Sequence, residues 1–251
     1  MTDVPEDGGG EQSFVSHLVE LRNRLLRGIA AVLVVFVGLL PFANPLYTYL
    51  AKPLLERLPE SSTMIAIDVV APFFAPIKLA FFTAVFIAMP FLLYQAWAFV
   101  APGLYRHERR LAMPLLVSAT VLFYVGCAFA YFLVMPLVFK FMTATAPEGV
   151  AMMTDISHYL DFVLVLFLAF GLCFEVPVAT VILVLIGVTT PEQLTNSRGY
   201  VIVGITVASA ILTPPDALSM ILLAVPMWIL FELGLIAARA VGRREAVVPV
   251  E

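Results

Sequence analysis

Two glutamates set among arginines, far apart in the chain, are the residues best suited to binding chemistry. Glu20 lies in the segment SFVSHLVELRNRLLR at 13–27, and Glu108 lies in FVAPGLYRHERR at 99–110. A carboxylate can bind the planar guanidinium of arginine through two parallel hydrogen bonds, a geometry that a lysine ammonium cannot match. If the fold brings Glu20 and Glu108 together, the pair would bind two guanidinium groups and would prefer arginine to lysine.

Each glutamate also has an ordinary structural interpretation. Glu20 and Arg24 are four residues apart, so they can form a solvated ion pair on one helix that contributes only about 0.3 to 0.5 kcal/mol. Glu108 can simply be neutralised by its arginine neighbours in a basic loop. These residues alone leave both interpretations open.

A third acidic residue, Glu175, lies in FGLCFEVP at 170–177, near the middle of a long apolar run. An unpaired carboxylate at the centre of a bilayer costs at least about 2.5 kcal/mol. Glu175 is therefore predicted to face the protein interior or a water-filled pocket, or to hold a proton and bond to a neighbouring helix. Pro177 is predicted to kink the helix beside it, because proline removes a backbone hydrogen bond.

The segment at 213–216, Thr-Pro-Pro-Asp, is predicted to begin a helix. A threonine can cap the first turn, a proline is tolerated at its start, and the carboxylate of Asp216 suits the positive end of the helix dipole. This assigns Asp216 a structural role from the residues alone.

Motifs of catalytic and metal centres are missing from the sequence. There is no GxxxxGK[ST], GxSxG or HExxH motif, and the histidines at 17, 107 and 158 are too scattered to form a ligand set. The formal net charge of -4 gives no basic field for nucleic acid. We therefore expect a protein that is not an enzyme, with no cofactor, no metal and no nucleic-acid partner.

The composition predicts helices that cross a membrane. Hydrophobic residues make up 62% of the chain, charged residues make up 13%, and the mean hydropathy is +1.01, which is too apolar for one soluble core. The fold class is therefore all-α and polytopic. We predict one transmembrane domain at 13–240 between a disordered tail at 1–12 and a second tail at 241–251, with six spans at about 25–43, 79–100, 111–138, 162–188, 200–212 and 217–238. The fifth is short for a span.

The distribution of basic residues predicts the orientation, because cytoplasmic loops are enriched in lysine and arginine. With six spans both termini share one side. That side carries Arg22, Arg24, Arg27, Arg106, Arg109, Arg110, Arg198, Arg239, Arg243 and Arg244, whereas the other carries Lys52, Arg57, Lys78 and Lys140. Both termini are therefore predicted to be cytoplasmic, with short amphipathic helices in the outer loop at 44–76.

The chain resembles the TatC family from about residue 13 to residue 239. The stretches that carry the resemblance follow the order of the family's motifs and are much more specific together than any one alone. They are SHLVELRNRLL at 16–26, STMIAIDVVAPFFAPIKLAF at 62–81, YQAWAFVAPGLYRHERR at 94–110, FAYFLVMPL at 129–137, TAPEGV at 145–150, AFGLCFEVPVA at 169–179 and LTPPDALSMILLAVPMWILFELG at 212–234.

This resemblance implies a function in protein export. The family is expected to form a glove-shaped, concave bundle of six helices in the bacterial inner membrane. It binds twin-arginine signal peptides of folded precursors and assembles, as an oligomer, with single-span subunits of the TatA and TatB type. Transport is driven by the proton motive force. Its motifs place signal-peptide binding at Glu20, Glu108, Arg22 and Phe99, and transport-related roles at Pro53, Glu175 and Asp216.

Two features differ from the family pattern, and one alternative function remains. The loop GVTTPEQLTNSRG at 187–199 is less basic than in bacterial relatives, and Met220 replaces a polar side chain found in some of them. The alternative is a proton-coupled secondary transporter of a small solute that uses Glu175 near the midplane. That alternative requires polar groups converging from several spans, and Glu175 is nearly the only charge within one.

Overall fold

A computed structural model describes residues 8–55, 64–100, 112–145, 153–212 and 217–245, and nearly all of them are helical. A 3-10 turn at Leu40–Phe42 joins the first two helices, and a π-helical segment at Ala130–Val134 joins the fourth and fifth. The helices are α1 (Gly8–Leu39), α2 (Ala43–Leu55), α3 (Ala71–Val100), α4 (Ala112–Phe129), α5 (Met135–Thr145), α6 (Ile156–Phe174), α7 (Val176–Leu185), α8 (Pro191–Asn196), α9 (Arg198–Leu212) and α10 (Ala217–Glu245).

Among the residues that the structure describes, five helical stretches are long and apolar enough to cross a membrane, which confirms the predicted all-α, polytopic class. The fifth predicted span, at 200–212, corresponds to α9, whose 15 residues extend only about 22 Å, against about 30 Å of hydrocarbon. A full crossing by α9 therefore stays a prediction, as do the domain limits. The five stretches are Ser16–Lys52, Ala71–Phe99, Met113–Phe141, Ile156–Leu185 and Leu223–Ala240.

The core of the bundle lies around α6. Half of the apolar window of Ile156–Leu185 is buried, whereas only 11% of the window in the first stretch is, so α1 lies at the periphery. Phe123 of α4 and Phe170 of α6 are fully buried against each other's helices. Gly126 permits this close approach, because a Cβ atom there would lie 2.5 Å from the backbone oxygen of Phe170.

The helix break predicted at Pro177 is present in the structure. α6 ends at Phe174, α7 begins at Val176, and Glu175 lies at the junction with Pro177 as the second residue of α7. The missing N–H of proline accounts for the interruption. The break places a carboxylate at a bend in the most buried stretch of the molecule.

Asp155 connects the segment around Ile67 to the start of α6. Two strands of two residues each, β1 (Met64–Ile65) and β2 (Thr154–Asp155), pair in parallel, and β2 directly precedes α6. One oxygen of the Asp155 side chain accepts from the backbone N–H groups of Ser157 and His158, and the other accepts from the N–H of Ile67 at 2.9 Å. The pKa of Asp155 is lowered, and the largest cause is the hydrogen bond from the backbone N–H of Ile67. The hydrogen bond from the backbone N–H of His158 is the second cause.

We expect Asp155→Asn to lower the melting temperature at neutral pH by several degrees, and Asp155→Ala to lower it further. Asparagine can still cap α6, but its amide group cannot accept from both sides, whereas alanine removes every acceptor. Because the pKa of Asp155 is lower in the folded protein than in the unfolded chain, its carboxylate stabilises the fold at pH values above the ordinary aspartate pKa of about 4. That contribution disappears as pH falls through the folded value.

Thermal unfolding of the purified protein in detergent, at pH 7 and at about pH 3.5, measures this effect. The difference in melting temperature between wild type and Asp155→Asn should be smaller at the lower pH. An unchanged gap would show that the charge of Asp155 does not stabilise the fold.

Candidate functional site

The start of α1 and the end of α3 contact each other through two rings. His17 and Phe99 stack with their ring centroids 4.2 Å apart and their planes inclined by 23°. Since α1 and α3 run antiparallel, this contact holds the beginning of the first apolar stretch beside the end of the second. Glu20 lies on α1 close to one turn beyond His17, so its carboxylate is near the point where α3 ends at Val100.

Glu20 makes an ion pair within its own helix. Its Oε1 accepts from the Nη2 of Arg24 at 2.5 Å and from the Nε of Arg24 at 3.0 Å, and its Oε2 lies 4.0 Å from the Nδ1 of His17. The ion pair between Glu20 and Arg24, which is the structural interpretation given by their spacing, is therefore present. The Glu20 side chain is nevertheless 36% exposed and lines a shallow recess with Ser16, Asn23 and Arg27. An incoming guanidinium can reach this carboxylate but has to share it with Arg24.

The other residues predicted for signal-peptide binding are only partly within the described structure. Arg22 is exposed on α1, where it donates to the side chain of Asn23 at 3.4 Å. Phe99 lies in the contact with His17. Glu108 lies outside the described residues, eight positions beyond Val100, so the predicted approach of Glu20 and Glu108 stays a prediction.

The residues predicted to serve transport lie in separate parts of the molecule. Pro53 belongs to α2, near its C-terminal end. Glu175 lies at the α6–α7 junction, where its Oε1 is buried and has no hydrogen-bond partner in the described part of the chain. Asp216 falls outside the described residues, directly before α10, and the helix start predicted at 213–216 lies there too. Met220 is half-buried in α10.

Sequence reasoning missed an ion pair that joins α9 to α10. The Nη2 of Arg198 donates to the Oε2 of Glu232 at 2.7 Å, and Arg239 donates to the hydroxyl of Thr195 at 2.6 Å. The partners in these pairs are 34 and 44 positions apart, so no local spacing could indicate them. Together they connect the α8–α9 segment to the last helix.

Sequence reasoning also missed Gln95, a polar residue within the apolar run of α3. Its side chain is 8% exposed, and its Oε1 has no hydrogen-bond partner among the residues that the structure describes. The sequence did contain a signal for Gln95, because its amide side chain lies within a long apolar stretch. Over the same described ranges, no three histidine, cysteine or acidic side chains lie close enough together to hold a metal ion.

The long apolar helical stretches of the described residues define a multi-pass membrane protein. Glu20 lies near the start of the first stretch, and Glu175 lies at the break within the fourth. The model of the family described as "Sec-independent protein translocase protein (TatC)" matches residues 16–226. The protein of that name from Haemophilus influenzae is 56% identical over 239 residues, covering 95% of this chain and 92% of its own length. That from Escherichia coli K12 is 55% identical over 228 residues, covering 91% and 88%.

Solved structures agree with these sequence relatives. A crystal structure of a protein described as "Twin Arginine Translocase Receptor- TatC" matches with a TM-score of 0.79 and 38% identity, covering 89% of this chain and 98% of that one. A second structure of that receptor, in DDM, matches with a TM-score of 0.81. This chain belongs to the TatC family of Sec-independent protein translocase components, which confirms the resemblance found in the sequence.

Proposed function

We propose that this chain is the receptor of its translocase and binds the twin-arginine signal peptides of folded precursor proteins. The observation that carries the proposal is the stacking of His17 on Phe99, which sets Glu20 beside the end of the helix that leads to Glu108. A similar solved structure is that of a twin-arginine translocase receptor, which supports the same function here. In this arrangement Glu20 and Glu108 each bind one guanidinium group of the signal, with Arg22 and Phe99 completing the site.

The energetics of this site favour reversible capture. A hydrogen bond to a charged group contributes about 1.5 to 3 kcal/mol, and the Glu20 side chain is 36% exposed, so an incoming guanidinium can reach it. Arg24 already occupies one carboxylate oxygen, so part of this energy is offset when the incoming arginine takes its place. The site therefore supplies modest affinity that other contacts have to extend.

The remaining steps of the proposal concern assembly and transport. We place the chain in the bacterial inner membrane with both termini in the cytoplasm, because the basic residues concentrate on that side of the predicted spans. Single-span subunits of the TatA and TatB type assemble with it as an oligomer, and the proton motive force drives transport. Pro53, Glu175 and Asp216 serve this later stage. No covalent bond of the cargo is made or broken.

Exchange of the arginine pair in the ligand tests the proposal. Two fluorescent signal peptides that differ only in Arg-Arg against Lys-Lys are titrated with the purified protein in nanodiscs. We expect the arginine peptide to bind at least about tenfold more tightly, because two planar guanidinium groups match two carboxylates and two ammonium groups do not. Equal affinities would contradict a carboxylate-based receptor.

A further inference from the structure

A pocket of about 450 Å3 lies where the end of α1 meets the starts of α3 and α6. Phe36 is three residues before the end of α1, Ala71 is the first residue of α3, and Ser157 is the second residue of α6. All three helix ends adjoin the loops that the distribution of basic residues places outside the cell membrane. The pocket therefore faces the outer leaflet of the bilayer, on the side opposite Glu20.

One part of the pocket is lined by aromatic rings. Phe36 of α1 and Phe81 of α3 meet edge to face, with their ring centroids 5.7 Å apart. Phe74 and Phe81 are seven positions apart, so they lie on the same face of α3, and they are 56% and 40% exposed. These rings offer an apolar surface that the acyl chain of a lipid can cover.

Among the described residues, three charged side chains line the same pocket. Lys78 of α3 donates to the Oδ1 of Asp161 in α6, and the two side chains are 48% and 51% exposed. Asp68 is also exposed, and its Oδ1 accepts from the backbone N–H of Val70 at 3.3 Å. Lys78 and Asp161 directly precede the spans predicted to begin at about 79 and 162. They therefore lie where the hydrocarbon meets the headgroup region.

We propose that this pocket binds the headgroup of an outer-leaflet phospholipid that carries a primary amine, with its phosphate at Lys78 and its ammonium group at Asp68 and Asp161. One lysine and two aspartates give the pocket an excess of negative charge, which disfavours an anionic headgroup. A primary ammonium has three N–H donors for the carboxylates, whereas a quaternary ammonium has none. This site is separate from the proposed arginine site and does not depend on it.

The ion pair between Lys78 and Asp161 does not prevent this binding. Both side chains are about half exposed, and ion pairs at such positions contribute little to stability. A zwitterionic headgroup offers each partner a new charge-assisted hydrogen bond, so positive and negative groups alternate across the pocket. Because Phe36, Lys78 and Asp161 belong to three different helices, the bound lipid would link α1, α3 and α6.

Retention of defined lipids tests the proposal. The purified protein is equilibrated with equal amounts of phosphatidylethanolamine, phosphatidylglycerol and phosphatidylcholine that have the same acyl chains, and native mass spectrometry measures which lipids stay bound. Asp68→Asn removes one charge from the pocket but keeps an oxygen that can accept from Val70, and it leaves the pair of Lys78 with Asp161 in place. Lys140→Gln removes a charge from an exposed position of α5 and is the control.

We expect wild type to retain phosphatidylethanolamine at least about fivefold more than either other lipid. Asp68→Asn should lower its preference over phosphatidylcholine to about twofold or less, and Lys78→Gln should lower retention of phosphatidylethanolamine about fivefold. Lys140→Gln should match wild type. Phosphatidylethanolamine should also raise the melting temperature of wild type more than that of Asp68→Asn.

Several results would overturn the proposal. Equal retention of the three lipids by wild type would show that the pocket does not select a headgroup, and preferential retention of phosphatidylglycerol would assign it to an anionic lipid. An unchanged preference in Asp68→Asn would place the bound lipid elsewhere. If the variants changed the fraction of dimer in the same spectra and left lipid retention unchanged, the surface would belong to a contact with a second copy of the chain.

Discussion

Replacement of Glu20 by glutamine is expected to weaken binding of a twin-arginine signal peptide by about tenfold to a hundredfold. Glutamine has nearly the same size but only one acceptor oxygen and no charge, so it loses a bidentate, charge-assisted contact of about 1.5 to 3 kcal/mol. The fold should tolerate the change, because the ion pair with Arg24 lies on the surface of α1 and contributes little to stability. Fluorescence titration in nanodiscs measures the affinity.

Two further variants act as controls for Glu20→Gln. Arg24→Gln releases the carboxylate from its internal partner, so it should leave affinity unchanged or raise it by up to about twofold, as expected for a pair of about 0.3 to 0.5 kcal/mol. Glu192→Gln removes the same charge from an exposed position of α8 and should have no effect. A loss of affinity with Glu192→Gln as large as with Glu20→Gln would point to general electrostatics instead of a specific site.

Replacement of Glu175 by leucine is expected to nearly abolish export of folded cargo while leaving the protein stably folded. The Oε1 of Glu175 is buried and has no partner in the described part of the chain, so it is a polar group maintained at a cost. Leucine removes that cost, and thermal stability should stay equal or rise. Export should fail, because Glu175 is one of the residues that we propose to serve transport.

Glu175→Gln is the matched control. It keeps the hydrogen-bonding capacity and the shape of glutamate, so it should retain most of the export that leucine loses. A folded fluorescent reporter with a twin-arginine signal, expressed in cells that lack their own TatC, gives the readout, with protein levels checked by immunoblot. Normal export by the leucine variant would remove any transport role from Glu175. Equal failure of both variants would mean that the charge itself is required.

The elements of the fold follow from local features of the sequence. Apolar runs of the length needed to cross a bilayer predict the helical stretches, and the short run at 200–212 predicts the short helix α9. The four-residue spacing of Glu20 and Arg24 predicts their ion pair, and Pro177 predicts the break at Glu175. These features depend on residues within one or two helical turns of each other.

Contacts between distant segments could not be predicted in the same way. His17 and Phe99 are 82 positions apart, and Asp155 and Ile67 are 88 apart, so only the packing of α1 on α3 and the pairing of β1 with β2 brings them together. The capping role of Asp155 did have a local signal, since an aspartate directly precedes an apolar helix. Gln95 had a signal as well, but its missing partner is visible only in the folded chain.

Site-directed cross-linking tests most directly whether the two glutamates share one binding site. A precursor with a photoreactive residue next to its arginine pair is irradiated with the protein in membrane vesicles, and the cross-linked peptides are sequenced. We expect attachment both to α1 around Glu20 and to the segment 101–110, with both products lost when the precursor carries Lys-Lys. Attachment to neither segment, or to only one of them, would contradict a shared site.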